Sequence, residues 1–413
     1  MKRKPAVVLA LLLLAYIFNF LDRQILGILA QPIKAELHLS DFQLGALGGT
    51  AFVLLYALLG IPLAYLADRS SRSAVIAGSL AVWSAFTALC GSAAGFGQMF
   101  LYRLGVGIGE AGGVAPSYAL IADYFPADRR ARALAIFSLG IPMGLGAGAF
   151  IGAFLAAWFG WRAAFMIVGL AGLLLSPLLG ILVRDPERAA PAVAKVPLAR
   201  VFPILAKKPA FWLLAFAASA SSACGYGLAL WTPAILMRSY GLDLKATGLF
   251  LASLILIGGC SGVLAGGWLA DRLGASDRGW YARLPAIAWL ITAPTFVLGY
   301  LAPNAWWAWV LLLIPNALNI LWTGPIITAV QHLVEQPMRA TASACFLLIN
   351  SLIGLGLGPP LIGRISDALE PRYGVDALRY SAVGSTAFYL LAATLVLLSV
   401  KPLRKTWISD PNI

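Results

Sequence analysis

The chain has 413 residues, of which 61% are hydrophobic and only 11% are charged, and its formal net charge is +13. Because soluble domains contain about 25% charged residues, this composition excludes a soluble globular protein and indicates a membrane protein with many spans. The four cysteines and two histidines are scattered in the sequence and form neither a metal-ligand spacing nor a disulfide framework. We therefore expect no metal site and no cofactor.

The first apolar segment, residues 6–33, contains Asn19, Asp22 and Arg23 in the middle of its hydrophobic run. The segment is long enough to cross a bilayer, which takes about 20 residues. Ionisable groups inside a span are costly, so they face a bundle interior or a wet cavity and mark ion or substrate pathways. A signal peptide also begins with basic and then apolar residues, but no small-residue cleavage site follows here. Adjacent helical residues point about 100° apart, so we expect Asp22 and Arg23 to have different partners.

Further along the chain, apolar segments alternate with polar or turn-forming clusters, and the sequence predicts an all-α membrane protein with twelve spans. A linker rich in Pro, Ala and charged residues, residues 184–208, divides the spans into two six-helix bundles, residues 1–183 and residues 209–413. The twelve predicted spans cover about residues 6–33, 41–67, 73–93, 97–122, 131–158, 162–183, 209–238, 244–270, 280–302, 305–333, 340–367 and 375–400. We number them span 1 to span 12.

The Lys and Arg residues predict the orientation of these spans. Twenty-one of the thirty fall on the side of the N-terminus, seven fall on the other side, and Arg23 and Arg103 lie within spans. Cytoplasmic loops carry the excess of basic residues, so both termini are predicted to be cytoplasmic, in an inner (plasma) membrane. This distribution accounts for the net charge without a nucleic-acid partner.

The two halves repeat short motifs at corresponding positions. Span 2 ends in Asp68-Arg69 and span 8 in Asp271-Arg272, while spans 5 and 11 carry Gly-x-Gly-x-Gly at residues 144–148 and 354–358. Repeated halves are typical of transporters whose two bundles rock around a central site. We interpret the glycine motifs as close helix packing at the rocking interface. The Asp-Arg pairs are predicted to form a cytoplasmic gate with Arg72, Arg129 and Arg130; a solvated turn is the alternative.

Span 4 places Arg103 and Glu110 seven residues apart, which is nearly two helical turns, so the two side chains share a face. Gly107 lies between them and leaves room for another helix. The middle of spans 7 to 12 contains no ionisable residue, so the intramembrane charge lies in the N-terminal half. We expect Asp22 and Glu110 to be proton-carrying or gating carboxylates. Arg103 is then the positively charged partner from which they separate when the two bundles rock. A permanent salt-bridge cluster is the alternative.

The remaining polar groups within spans are candidates for binding substrate. Arg23 is suited to an anionic group, and the C-terminal half offers amide and aromatic side chains instead of charges. Ser and Asn residues also cross-link membrane helices, which is the alternative interpretation. The predicted substrate-binding residues are Arg23, Asn19, Asn319, Trp322 and Tyr226.

The motifs together resemble the major facilitator superfamily over essentially the whole chain. The Asp-Arg pairs that end spans 2 and 8 and the Arg-Leu-Gly-x-Gly sequence at 103–107 carry this resemblance, although Ala64 and Ser71 replace glycines that are common in the superfamily. Within it, the chain is similar to the spinster-like group. The residues that carry this second resemblance lie at 19–23, 60–64, 67–69, 107–111, 358–360 and 366–367.

The resemblance implies a proton-linked carrier of amphipathic substrates of the lysophospholipid or sphingolipid class, driven by the proton gradient. Organic-anion symporters of the superfamily share the Asn-x-Leu-Asp-Arg start, so an organic-anion:proton symporter is an alternative, as is a multidrug-type proton antiporter. A receptor built on an inactive transporter is a further alternative. No Walker-type motif occurs, which disfavours an ATP-driven pump. We expect a monomer with no enzymatic activity, whose partners are the bilayer, protons and a small amphipathic or anionic substrate.

Overall fold

The computed structural model describes residues 5–186, 198–262 and 277–408, without the side chains of residues 68, 127, 128, 131, 198 and 199. Across these residues the protein is helical and contains no β-strand. The predicted all-α fold class is confirmed. Residues 187–197 of the predicted linker lie outside the described residues, and the linker continues as a short helix, Leu198–Ala206.

The N-terminal half contains six spans, several of them divided by a short break. Their helices are Pro5–Ile28 and Ala30–Leu37 (span 1), Asp41–Gly48 and Thr50–Arg69 (span 2), Arg72–Cys90 (span 3), Phe96–Glu110 and Val114–Tyr124 (span 4), Ala127–Ser138 and Gly140–Leu182 (spans 5 and 6). The last helix holds two passes, because Gly160 has a φ of 83° and breaks its direction. Glycine adopts this left-handed conformation without a steric penalty.

The C-terminal half contains the other six spans. Their helices are Pro209–Tyr240 (span 7), Leu244–Leu254 followed by a π-helical turn at Ile255–Gly259 (span 8), Trp280–Tyr300 (span 9), Ala305–Leu318 and Thr323–Gln331 (span 10), Arg339–Asn350, the π-helical turn Ser351–Leu355 and Gly356–Tyr373 (span 11), Ala377–Ser385 and Ala387–Thr406 (span 12). Short 3₁₀ turns, Gln336–Met338 and Gly374–Asp376, precede spans 11 and 12.

Nine stretches of the described residues are long and apolar enough to cross a membrane. Two of these, Arg132–Leu182 and Gln336–Thr406, each contain two passes, and the charged, broken span 4 supplies the twelfth. The predicted number of spans therefore agrees with the structure. We call the side on which span 1 begins and span 12 ends the termini side, and the other the far side.

The glycine motifs of spans 5 and 11 bring helices close together, as predicted. In span 5, the outer two glycines of the 144–148 motif face the backbone of span 1, and the middle one faces Leu256 of span 8. In span 11, the outer two glycines of the 354–358 motif face span 7, and the middle one faces Val53 of span 2. In each motif, the outer glycines therefore pack against a span of the same half, and the middle glycine contacts a span of the other half.

Span 2 differs between its two ends. Near the far side, Leu44, Leu47 and Phe52 are buried, and Gly45 lies so close to span 11 that a Cβ there would be 2.5 Å from the Pro359 carbonyl oxygen. Towards the termini side, none of residues 58–66 is buried, although they cover more than two turns of helix. Span 2 is therefore buried near the far side, where it packs against span 11, and unburied over residues 58–66.

Candidate transport site

Two buried ion pairs lie inside the N-terminal half, and the first joins spans 1 and 4. Asp22 is buried, and its Oδ1 accepts a hydrogen bond of 2.7 Å from the Thr87 hydroxyl of span 3. Its Oδ2 lies 3.7 Å from Nη1 of the buried Arg103. The Arg103 Nε is also 3.5 Å from the Leu47 carbonyl oxygen of span 2. This pair therefore links four of the six N-terminal spans.

The second pair joins Arg23 and Glu110. The Arg23 Nε donates to the Glu110 Oε2 at 2.7 Å, and Glu110 is fully buried, whereas the Arg23 side chain keeps 19% of its surface exposed. The guanidinium carbon lies 4.7 Å from the ring centre of Phe52 and 5.1 Å from that of Tyr56. Aromatic faces of this kind stabilise a cation that has left water. Arg23 is thus held by a carboxylate and by rings, with one edge still accessible.

The pairing differs in one respect from the sequence-based prediction. Asp22 and Arg23 do have different partners, as predicted, but Glu110 pairs with Arg23 and not with Arg103. Arg103 and Glu110 do share a face of span 4. However, Arg103 points to Asp22 on span 1, and the rotation of about 100° between the adjacent residues Asp22 and Arg23 directs Arg23 to Glu110. Single-sequence reasoning identified the four charges but could not assign which carboxylate each arginine faces.

Both carboxylates keep an oxygen without a hydrogen-bond partner in the described part of the chain, namely Oδ2 of Asp22 and Oε1 of Glu110. Gly107 brings span 2 close to this cluster, because a Cβ there would be 2.2 Å from the Phe52 carbonyl oxygen. A buried polar atom without a partner is uncommon and costs free energy. The cluster is therefore suited to bind protons, because each carboxylate has an oxygen that accepts no hydrogen bond in the described residues, although Oδ2 of Asp22 faces Arg103 at 3.7 Å.

The predicted substrate-binding residues fall into two groups. Arg23 and Tyr226 lie within electrostatic range of each other across the two halves, and Tyr226 is 42% exposed. Asn319 is half-buried, and its Oδ1 accepts a hydrogen bond of 2.8 Å from the Tyr389 hydroxyl. Trp322 is buried against Phe346. The structure thus places Arg23 near Tyr226 of the other half and leaves Trp322 in the C-terminal core.

Asn19 lines a separate, small void within the N-terminal half. Its side chain is buried, and neither its oxygen nor its nitrogen has a partner in the described residues. It lines a void of about 10 Å³ together with Tyr16, Trp83 and Ser117, between spans 1, 3 and 4. A void of that size holds about one water molecule and no larger group. In this conformation Asn19 is therefore not positioned to contact a substrate.

The predicted cytoplasmic gate is described only in part. The side chain of Asp68 and the whole of Asp271 and Arg272 lie outside the described residues. Arg72 forms an ion pair with Asp123 of span 4, and the Arg69 guanidinium lies 4.1 Å from the ring centre of Tyr65 in its own helix. Both of these contacts lie within the N-terminal half.

The remaining gate candidates lie at the start of span 5. Arg130 donates to the Ala122 carbonyl at 2.9 Å, again within the N-terminal half, and Arg129 is exposed.

The far side carries an ion-pair cluster that joins the two halves and that sequence reasoning missed. Asp41, at the start of span 2, is 2% exposed. Arg238 of span 7 donates to both of its carboxylate oxygens at 2.7 Å each, Lys34 donates to Oδ1 at 2.7 Å, and Ser366 of span 11 donates to Oδ2 at 2.8 Å. The Arg238 Nε donates to Gln31 at 2.8 Å. We call this set the far-side lock.

A second carboxylate strengthens the far-side lock. Asp367 of span 11 accepts hydrogen bonds of 2.9 Å from the backbone N–H groups of Asp41 and Phe42, so the C-terminal half caps the first turn of a helix in the N-terminal half. The Ser40-x-x-Gln43 capping box was the available sequence signal, because it places Asp41 in the first turn of that helix. In the sequence alone, Ser40-Asp41 is one of the polar clusters that separate the predicted spans.

Two six-helix halves, joined at the far side by an ion-pair cluster and with two further buried ion pairs inside the N-terminal half, define a membrane transporter. The sequence pattern described as the Major Facilitator Superfamily matches residues 12–359, and the chain belongs to that family. It is 35% identical over 91% of its length to a Mycolicibacterium smegmatis protein named as an MFS-type efflux pump, of which it covers 88%. It is also 27% identical over 89% of its length to spinster homolog 1 of Xenopus laevis, of which it covers 74%.

Its structure aligns with the crystal structure of a bacterial homolog of the human lysosomal transporter spinster, in an inward-facing and unoccupied conformation. The TM-score is 0.89 at 30% identity, over 99% of this chain and all of the other. The predicted resemblance is confirmed: this is a spinster-like member of the superfamily. Its family and relatives are transporters, and the chain is an integral membrane protein.

Proposed function

We propose that the protein is a proton-coupled secondary transporter that moves amphipathic, lipid-like substrates of the lysophospholipid or sphingolipid class by alternating access. The observation that carries this proposal is the pair of buried carboxylates, Asp22 and Glu110, each paired with one arginine and each with one oxygen that accepts no hydrogen bond in the described residues. A cluster that only held helices together would be expected to use its oxygens more fully.

Protons act on this cluster through the two arginines. A buried carboxylate that loses its arginine is left as an unpaired charge in a medium of low dielectric constant, and it becomes neutral by taking up a proton. Arginine keeps its charge throughout. Rocking that separates Asp22 from Arg103, or Glu110 from Arg23, therefore takes up a proton, and restoring the pair releases it.

The amphipathic substrate follows from the contrast between the halves. Arg23 offers a partly exposed cation for an anionic head group, with Tyr226 of span 7 nearby. In the described residues of spans 7 to 12, charged side chains lie near the ends of the spans, which leaves an apolar wall for a hydrocarbon tail. The unburied stretch 58–66 of span 2 adds an apolar side through which a lipid can enter from the bilayer.

Efflux of hydrophobic compounds by proton antiport is the second candidate, and the similarity to the M. smegmatis protein named as an MFS-type efflux pump supports it. The apolar C-terminal wall suits such compounds equally well. An organic-anion:proton symporter is less consistent with the site, because no second cation faces Arg23 from the middle of the described C-terminal spans.

The bias of Lys and Arg towards the termini side supports an inner-membrane protein with both termini in the cytoplasm. The far-side lock then closes the outside, and the protein is open to the cytoplasm. In this proposal it works as a monomer, uses the proton gradient and no cofactor, and needs no nucleic acid.

Proton uptake in proteoliposomes tests the proposal, with lysophospholipids, sphingoid bases, hydrophobic dyes and sugar acids as candidate substrates. We expect one class to drive proton movement in the wild type, and Asp22→Asn and Glu110→Gln to abolish it. Glu36→Gln is the matched control, because Glu36 pairs with Arg162 within the N-terminal half and outside the cluster.

Retention of wild-type proton coupling by both cluster variants would show that the carboxylates are structural. The compound that drives proton movement distinguishes lipid carrier, efflux pump and anion symporter.

A further inference from the structure

The C-terminal half carries an apolar groove on its outer surface. Its volume is about 340 Å³, and side chains of spans 7, 11 and 12 line it, among them Phe216, Leu357, Leu361 and Phe388. The only polar side chain in the lining is Ser219, and its hydroxyl already donates to the Ala215 carbonyl at 2.7 Å. The groove therefore offers no unused hydrogen-bonding group and suits hydrocarbon.

The groove opens to the bilayer. Leu357, Leu361 and Leu391, which line it, are all exposed on the protein surface. These residues lie in the middle parts of spans 11 and 12, at the depth where the surroundings are acyl chains and not water. The occupant that the surroundings supply at this depth is a lipid acyl chain.

An arginine lies at the far-side end of this groove. Arg364 comes three residues after Leu361 and seven after Leu357, so the three side chains share one face of span 11. Arg364 is exposed, and it makes no ion pair, hydrogen bond or ring contact within the described residues.

Neighbouring arginines at the same end of the protein do have partners. Arg379 donates to the Tyr300 carbonyl and lies 3.8 Å from Asp376, and Arg372 lies over the ring of Tyr373. Arg364 follows the apolar run 352–363 and precedes Ser366 and Asp367 of the far-side lock. This position corresponds to the depth of the lipid head groups, where an arginine extends to the interface.

We propose that the groove and Arg364 together form a binding site for an anionic phospholipid of the far-side leaflet. One acyl chain lies in the groove, and the phosphate pairs with the guanidinium, which recognises phosphate through several N–H donors. The site is separate from the ion-pair cluster of spans 1 and 4, and it does not depend on which substrate is transported.

Native mass spectrometry of the purified full chain, titrated with phosphatidylglycerol or phosphatidylcholine, tests this proposal. We expect the wild type to retain phosphatidylglycerol more strongly. Loss of one basic residue near a lipid head group corresponds to roughly fivefold weaker binding of an anionic lipid. Arg364→Gln is therefore expected to bind phosphatidylglycerol about fivefold more weakly and phosphatidylcholine unchanged. Arg372→Gln, with the same loss of charge at the same end, is the matched control and is expected to match the wild type.

A second variant, Ala220→Phe, adds volume to the floor of the groove, and we expect it to weaken retention of both lipids. Its thermal melting is measured first, so that a loss of folding is recognised. Equal phosphatidylglycerol binding by Arg364→Gln and the wild type would overturn the proposal. An equal loss in Arg372→Gln, or a folded Ala220→Phe that binds both lipids normally, would overturn it as well.

Discussion

We expect the far-side lock to set the free-energy difference between the closed and open states of the far side, and Asp41→Asn tests this directly. In the closed state Asp41 is 2% exposed and accepts four hydrogen bonds, two of them from Arg238. Asparagine keeps the size of the side chain but removes the charge that Arg238 and Lys34 neutralise. The penalty applies only to the closed state, because the same groups are solvated when the far side opens.

The magnitude follows from the burial of the partners. Removing one member of a fully buried ion pair costs about 3–5 kcal/mol. The Arg238 and Lys34 side chains are 16% and 25% exposed, so water compensates part of the loss. We therefore expect about 2 kcal/mol, because a surface pair contributes at most about 1 kcal/mol and this lock lies between the two limits. That free energy corresponds to a roughly 30-fold shift towards the far-side-open state.

Distances between spin labels measure this shift. Ala35 and Val375 are exposed, lie at the far side of the two halves, and do not belong to the lock. We expect the long-distance population between labels at these positions to increase in Asp41→Asn and to remain unchanged in Glu36→Gln. Unchanged distances in Asp41→Asn would refute the assignment of the lock as a gate, and so would an equal change in both variants.

Three further outcomes follow from the cluster and its packing. Arg103→Gln leaves Asp22 as a buried charge without its arginine, so we expect the melting temperature in detergent to fall markedly. The double variant with Asp22→Asn is expected to recover part of this loss. Equal melting temperatures of the single and double variants would contradict the pairing. Gly107→Ala places a Cβ against the backbone of span 2 and is expected to lower the melting temperature. Gly78→Ala, which has open space around it, is expected to be neutral or slightly stabilising. Similar melting temperatures of the two variants would contradict the close approach of span 2 to Gly107. Arg23→Gln is expected to raise KM for anionic amphiphiles more than for neutral ones, and an equal rise in transport assays would remove Arg23 from head-group binding.

The sequence alone was sufficient for the architecture and for the location of the charge. Spans of about 20 apolar residues and the repeated glycine motifs depend on local sequence, which a single chain contains, and the structure confirms them. The second Asp-Arg pair lies outside the described residues. The pairing inside the cluster was only partly predictable, because which arginine faces Glu110 depends on how far span 1 is rotated against span 4.

The far-side lock was not predictable in the same way. The lock residues Asp41, Arg238 and Asp367 lie at the ends of spans, where a charged residue is usually solvated. Arg238 and Asp367 are 197 and 326 residues away from Asp41 in the chain. Only the packing of span 2 against span 11, through glycines that admit close backbone contact, brings them together. The capping box at Ser40 indicated where the helix starts but not that its first carboxylate crosses to the other half.

The lock and the central cluster are connected through span 2, and this connection gives the proposed coupling a physical route. Asp41 begins that span, Leu47 accepts from Arg103 one to two turns later, and Phe52 contacts both cluster arginines with its ring. Opening the far side requires span 2 to move away from span 11, and any such movement shifts the groups that position Arg23 and Arg103. A change in the protonation of Asp22 or Glu110 then favours one position of span 2 over the other, since a neutral carboxylate no longer holds its arginine. Coupling in this protein would thus depend on one helix that carries a lock at its end and a contact with the cluster at its middle.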